Sequence, residues 1–176
     1  IKIALLDDYQ GVGPEMADWN SLPGAEVSTF RAHLTDEDAL VASLAGFDII
    51  MAMRERTPFG PALFSRLPEL KLLVTSGMRN AAIDLEAATE HDVLVCGTGG
   101  RFLGTAEHTW ALILACLRRI PAEDHAVRQG HWQLGLGEEL EGKTLGVIGL
   151  GRIGSRVAAV GLAFGARVIA WSQNLT

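Results

Sequence analysis

Cysteine is scarce: Cys96 and Cys116 stand alone, with neither Cys-x-x-Cys spacing nor a ligand cluster around them. A disulfide framework is excluded, and a reducing compartment, the cytoplasm, is the expected setting. Long apolar runs are lacking too. The longest, Trp110 to Leu117, is far short of the roughly 20 residues a membrane span needs. No signal-peptide pattern is visible, in a sequence that opens on Ile1 rather than Met. There is no excess of positive charge. The formal net charge is −6, which argues against nucleic acid or an anionic membrane as main partner. The His-Glu-x-x-His spacing is also absent, since Glu107 and His108 are adjacent, and no metal site is expected.

What remains is a globular composition, 48% hydrophobic and 20% charged over 176 residues, enough to bury a sizeable core. The acidity is uneven: 7 Lys and Arg against 15 Asp and Glu in residues 1–99, but 8 against 6 in residues 100–176. The run from Ala170 to Thr176 comes straight off a strand-like segment, so the chain is expected to be part of a longer protein.

Strand-like and helix-like segments alternate. Strands are predicted over Ile1–Leu6, Glu26–Phe30, Phe47–Met53, Leu70–Thr75 and Val93–Cys96. Thr35 and Asp38 read as a capping box opening a helix with Leu40, Val41 and Leu44 inward. A short helix follows Pro58 and Pro61, and another is predicted over Asn80–Ala88. This order implies parallel βαβ units in a doubly wound α/β sheet, with ligand-binding loops at one strand edge. Gly97-Thr98-Gly99-Gly100 is the best domain boundary, giving domains 1–98 and 99–176. Beyond it a long helix is predicted over Thr105–Arg119, ended by Pro121, with Arg118 and Arg119 in its last turn. A helix over Ala122–Gln129 and a loop from Gly135 to Gly142 follow. The βαβ alternation then restarts at Thr144.

Thr144-Leu145-Gly146-Val147-Ile148 is an apolar strand running into Gly149-Leu150-Gly151-Arg152-Ile153-Gly154. Ser155–Phe164 has helical spacing, with Val157, Val160 and Phe164 on one face, Gly165 closes it, and Arg167–Trp171 is the next strand. A lone Gly-x-Gly-x-x-Gly is a weak signal, but here it has the strand, loop, helix and strand it requires. Gly149 permits the tight turn, Gly151 lets backbone approach a pyrophosphate, and Gly154 allows close helix–strand packing. Helix-start N–H groups near Arg152 and Ile153 then face the phosphates. The acid that ordinarily grips the adenosine ribose is replaced by Ser172, with Gln173 and Asn174 after it, so NAD or NADP is the expected cofactor.

Three segments together resemble the D-isomer-specific 2-hydroxyacid dehydrogenases. They are Glu141 to Gly154, the helix segment Thr105-Ala106-Glu107-His108-Thr109-Trp110-Ala111-Leu112, and Arg128-Gln129-Gly130-His131-Trp132. The resemblance implies two flavodoxin-like or Rossmann-like domains, the second incomplete, with the active site between them. It implies a small 2-oxo or 2-hydroxy acid substrate, hydride exchange with NAD(P)H, and a homodimer built on the long helix. The cofactor-binding candidates are Gly149, Gly151, Arg152, Ile153, Gly154, Ser172 and Thr105. The family's Gly-x-Gly-x-Asp substrate loop matches Gly77-Met78-Arg79-Asn80-Ala81, with Arg79 in place of the second glycine and Ala81 in place of the acid. Gly77 and Met78 take the place whose amides hold the substrate carboxylate in the family, and Arg54 and Arg79 are further substrate-binding candidates. The family's Asn-x-Pro hinge becomes Cys96-Gly97-Thr98. Its catalytic Arg, Glu and His match nothing here, and mid-helix His108 is a decoy. Asp7-Asp8 read as turn residues, Trp132 as a packing residue, and His33, His91, His125 and His131 as surface or satisfied residues. A dinucleotide-sensing corepressor-like protein and a formate- or phosphite-type dehydrogenase are alternatives on the same fold.

Overall fold

The computed structural model of the chain describes residues 1–100, 103–173 and 175. It divides into two compact units, Ile1–Gly100 and Arg101–Thr176.

The first unit holds five parallel strands: β1 (Lys2–Leu5), β2 (Glu26–Thr29), β3 (Ile49–Ala52), β4 (Leu72–Thr75) and β5 (Leu94–Gly97). They lie in the order β2-β1-β3-β4-β5. β1 to β4 are each shorter than the expected run, and β5 is shifted by one residue to take in Gly97. The chain leaves β1 toward β2 and leaves β3 toward β4, so the direction of winding reverses between β1 and β3. That switch point opens a crevice at the carboxyl ends of the two strands. Ala4, Ile50 and Leu73, from successive strands, are fully buried beneath helices α1 (Glu37–Leu44), α2 (Pro61–Ser65) and α3 (Leu85–Glu90). Phe59, Phe64 and Leu44 complete this core.

Two helix starts differ from expectation. The Asp36 carboxylate, not Thr35, accepts the Ala39 N–H and caps α1. Asp38 reaches Arg66 instead, at 2.6 Å. Helix α3 begins after Asp84, whose carboxylate accepts the N–H groups of Glu86 and Ala87. Asn80 is not helical because its side chain bonds backbone: Oδ1 accepts the Ala82 N–H, the competition with helix that short polar side chains offer. Gly97 also belongs to β5, paired with Thr75, and the first compact unit ends at Gly100.

The second unit contains α4 (Leu103–Leu117), α5 (Ile120–Arg128), β6 (Thr144–Ile148), α6 (Arg152–Ala163) and β7 (Arg167–Trp171). Strands β6 and β7 pair in parallel from Thr144 with Arg167 to Ile148 with Trp171. Pro121 opens α5 rather than ending α4. The break lies at Arg119, whose left-handed backbone (φ 55°) turns the chain between the helices, and both arginines fall outside α4. Helix α6 packs through Val157, Ala158 and Gly161, whereas Val160 is exposed. The reason is Gly161: a β-carbon there would stand 2.7 Å from Leu145 Cδ2, so this is where helix meets strand most closely. Trp110 of α4 anchors the helix pair, donating from Nε1 to the Val157 carbonyl (3.2 Å) with its ring 5.3 Å from that of Phe164. Trp132 is 82% exposed, so the expected packing role is not met within this chain. No helix among the described residues is long and apolar enough to cross a membrane.

Candidate functional site

The glycine loop joins β6 to α6, and its three glycines are required for different reasons. Gly149 has φ +96°, a conformation L side chains rarely adopt, and its N–H donates to the Trp171 carbonyl at 2.6 Å. A β-carbon on Gly154 would overlap the Gly149 carbonyl oxygen. Gly151 has neither excuse. Its φ of −85° suits any residue, and a β-carbon there would meet no atom of the chain within 4 Å. Nothing in the chain therefore requires glycine here, and the open face leaves room for a ligand to approach the backbone.

Gly151 is the N-cap of α6 and carries no capping side chain. The first bond of the helix runs from the Ser155 N–H to the Gly151 carbonyl at 2.9 Å. The amides of Arg152, Ile153 and Gly154 thus precede the helical ladder, at the positive end of the helix dipole, where an anion is favoured. Ser172 directly follows Trp171, the residue that binds Gly149, and so lies beside the loop. Gln173 is exposed, and Asn174 lies outside the described residues. Thr105 is exposed in the first turn of α4. The loop, the bare helix start and a neutral hydroxyl at the second strand end fit a dinucleotide pyrophosphate and ribose.

In the first unit, Arg54 lies two residues past β3 with φ +54°. Its N–H donates to Ser76 Oγ (3.0 Å), and its guanidinium Nη1 to the Ser76 carbonyl (3.3 Å). Asn80 Nδ2 donates to the Arg54 carbonyl (2.7 Å) and to Thr75 Oγ1 (2.9 Å). Gly77 has φ +113°, and a β-carbon there would collide with the Arg54 guanidinium. Arg54 and Gly77 are thus brought together across the ends of β3 and β4. Met78 and Arg79 instead line a cavity of ≈ 490 Å³ with Asn80, Ile83 and Val95. The Gly77 N–H is committed to Thr98 Oγ1 at 2.9 Å, because Thr98 follows the strand that pairs with β4. Of the two amides expected to hold a carboxylate, that of Gly77 is therefore engaged, and Met78 is the one at an exposed loop tip.

Sequence reasoning missed a polar cluster at the switch point. Asp7 and Asp8 are both buried. Asp8 is a turn residue as expected, its carboxylate accepting the N–H groups of Gly11, Val12 and Gly13. Asp7 instead binds His33 Nδ1 (2.9 Å) and Thr57 Oγ1 (2.6 Å), residues far apart in sequence. The only available signal was an acid at the end of a buried strand. Elsewhere His91 is satisfied by the Ala87 carbonyl, and His108, His125 and His131 are exposed. Among the described residues, no group of three His, Cys, Asp or Glu could hold a metal ion.

Residues 110–176 match the D-isomer specific 2-hydroxyacid dehydrogenase, NAD binding domain. A glyoxylate reductase of Aeropyrum pernix is 45% identical over 122 residues, 64% of this chain and 36% of the relative. Residues 110–176 thus resemble the NAD binding domain of the D-isomer-specific 2-hydroxyacid dehydrogenases, and the relatives support that family. The crystal structure of a phosphoglycerate oxidoreductase from Vibrio cholerae o395 superposes with a TM-score of 0.90 at 38% identity, over 99% of this chain and 56% of that one. The D-lactate dehydrogenase of Aquifex aeolicus, solved with NAD and lactic acid, gives 0.72 at 28% identity, over 99% and 52%. The chain thus spans about half the length of these solved relatives. Their architecture accounts for the parallel sheets and helices of both units.

Proposed function

We propose that the protein carrying this chain is an oxidoreductase that moves a hydride between NAD(P)H and a small 2-oxo acid, giving a D-2-hydroxy acid, or the reverse. The observation that carries this reading is Gly151, a glycine that neither conformation nor packing demands, at the bare start of a helix beside a strand end. Residues 99–176 form the start of the cofactor domain, and residues 1–98 form most of the substrate domain. The bound dinucleotide supplies or accepts the hydride. Gly149 shapes the loop, Gly151 opens it, the amides of Arg152, Ile153 and Gly154 face the pyrophosphate, Ser172 faces the ribose, and Thr105 lies in the same cofactor-binding set.

The substrate carboxylate is held by Arg54 with the Met78 amide, and Arg79 adds positive charge on the same loop. Charge-assisted bonds of this kind orient the 2-oxo group for transfer. A proton must accompany the hydride to convert the carbonyl to a hydroxyl. The family resemblance assigns that step to a His tuned by a Glu, with an Arg on the carbonyl, beyond residue 176. The enzyme is further proposed to be a cytoplasmic homodimer that accepts NADP.

Oxidation of NADH or NADPH by the full-length protein, followed at several 2-oxo acids including glyoxylate and hydroxypyruvate, tests the assignment. Turnover is expected there and none from the 176-residue chain alone. A full-length protein that binds dinucleotide but reduces no 2-oxo acid would replace the enzyme by a dinucleotide-sensing interaction protein.

A further inference from the structure

We propose that Asp7 is a positioning residue for substrate recognition, holding the β3–α2 loop in the path that lays Arg54 against Gly77. The inference rests on reading Arg54 as a partner of the substrate carboxylate.

Asp7 lies two residues past β1, at the point where the sheet reverses its winding, and is 2% exposed. A carboxylate so buried is tolerated only when its oxygens are bonded. One oxygen takes His33 Nδ1 and the other takes Thr57 Oγ1, itself on a residue 2% exposed. The Asp7 carbonyl accepts Arg56 Nη1 at 2.5 Å, and the Arg56 guanidinium lies 4.1 Å from the centre of the Tyr9 ring. One residue therefore grips the loop after β3 twice, at Arg56 and at Thr57. Asp7 does so from a left-handed backbone (φ 55°), which turns both its carbonyl and its side chain toward that loop. Asp is among the few residues that enter this region at modest cost.

Arg54 stands three residues before Thr57. Its own side chain is 56% exposed and is steadied by a long bond to the Ser76 carbonyl (3.3 Å) and a loose, exposed ion pair with Glu55 (3.6 Å). Little at the exposed end fixes where this cation sits. The buried end does: Thr57 and Arg56 are anchored on β1, and Asn80 holds the Arg54 carbonyl from β4. Between these anchors Arg54 adopts its left-handed turn and crosses Gly77. The two strands at the switch point are thus joined by a buried polar clasp whose exposed consequence is the placement of one arginine.

The test uses the full-length protein with five variants. Asp7→Ala removes the acceptors of both His33 and Thr57 and is the one at risk of not folding. Thr57→Val keeps shape and burial while deleting one hydroxyl, and Thr57→Ser restores it. Arg54→Ala and the double variant with Thr57→Val complete a cycle. Thr57→Val is expected to raise KM for the 2-oxo acid by about tenfold, since small displacements of a positioning group are costly. Its kcat and its KM for the nicotinamide cofactor are expected to stay within about twofold, because the acid–base and cofactor groups are untouched. Thr57→Ser is expected to recover the parent KM. The double variant is expected to be no worse than Arg54→Ala, because both changes remove one interaction. A folded Thr57→Val with unchanged oxo-acid KM, or with loss confined to kcat and melting temperature, overturns the inference while Arg54→Ala still raises KM. An Arg54→Ala protein with parental KM sinks the reading of Arg54 and the inference with it.

Discussion

The α-carbon of Gly154 lies so close to the carbonyl of Gly149 that no β-carbon fits between them. Gly154 thus serves packing and Gly149 the left-handed turn, while Gly151 between them has open space on its side-chain face and an ordinary φ. The variants Gly151→Ala and Gly154→Ala should therefore fail differently. Gly154→Ala overpacks the loop and is expected to destabilise the fold by about 1–3 kcal/mol. Gly151→Ala is expected to leave the unfolding midpoint nearly unchanged and to weaken dinucleotide binding by more than about tenfold, roughly 1.4 kcal/mol. Denaturant unfolding and a titration of NADH fluorescence, run on both variants, separate the two effects. Equal losses of stability would remove the argument that Gly151 is kept for a ligand.

Ser172 sets an expectation for cofactor choice. An acid in that place accepts bonds from the ribose hydroxyls and repels a 2′-phosphate. Serine retains a hydrogen-bonding group without the charge, so the repulsive part of the discrimination is missing. Steady-state kinetics of the full-length enzyme should show weak discrimination between NAD and NADP, or a preference for NADP. A preference for NAD above about a hundredfold, close to 3 kcal/mol in transition-state binding, would place the choice elsewhere.

Helix α4 buries Ala106 and Trp110, yet leaves Leu112 59% exposed. An apolar residue at this exposure within an apolar run is expected to find a second copy of the chain. The full-length protein should run as a dimer in light scattering after gel filtration, and Leu112→Glu should shift it toward monomer. A parent protein that is already monomeric at micromolar concentration counts against this arrangement.

Asp48 ties three strands together and gives the first unit a defined acid response. It accepts Lys71 Nζ at 2.6 Å and the Lys2 N–H at 2.9 Å. These bonds, that from Lys71 foremost, lower its pKa below the usual aspartate value. A depressed folded-state pKa contributes stability above the unfolded value and loses it as pH falls through the folded one. The Asp48→Asn variant should melt below the parent at neutral pH. The gap should close as the pH falls below roughly 4, where the unfolded carboxyl titrates. A gap that persists unchanged at pH 2 would show that the side chain acts by shape and not by charge.

Local pattern alone determined much of this protein. The β6-loop-α6-β7 segment was legible because its signals are short-range: an apolar run, glycines at fixed offsets, and a closing Gly165 with φ +77°. Strand β7 falls on Arg167–Trp171 as expected, since both its ends are marked by chain punctuation. Helix starts were less legible, because several short polar side chains precede each helix: Asp36 beside Thr35 caps α1, and Asp84 caps α3 while Asn80 binds the Ala82 N–H four residues earlier in the chain.

What only tertiary structure decided are the contacts between strand ends. Asp7 meets Thr57 across 50 residues of sequence, and Arg54 meets Gly77 across 23. Neither pair has a spacing that a periodicity could reveal. They exist because β1, β3 and β4 lie side by side in a parallel sheet, which gathers the residues after each strand at one edge. The commitment of the Gly77 amide to Thr98 has the same origin, in the pairing of β4 with β5. Sequence by itself fixed which residues could turn, cap or bind. The order of the strands fixed which of them face each other.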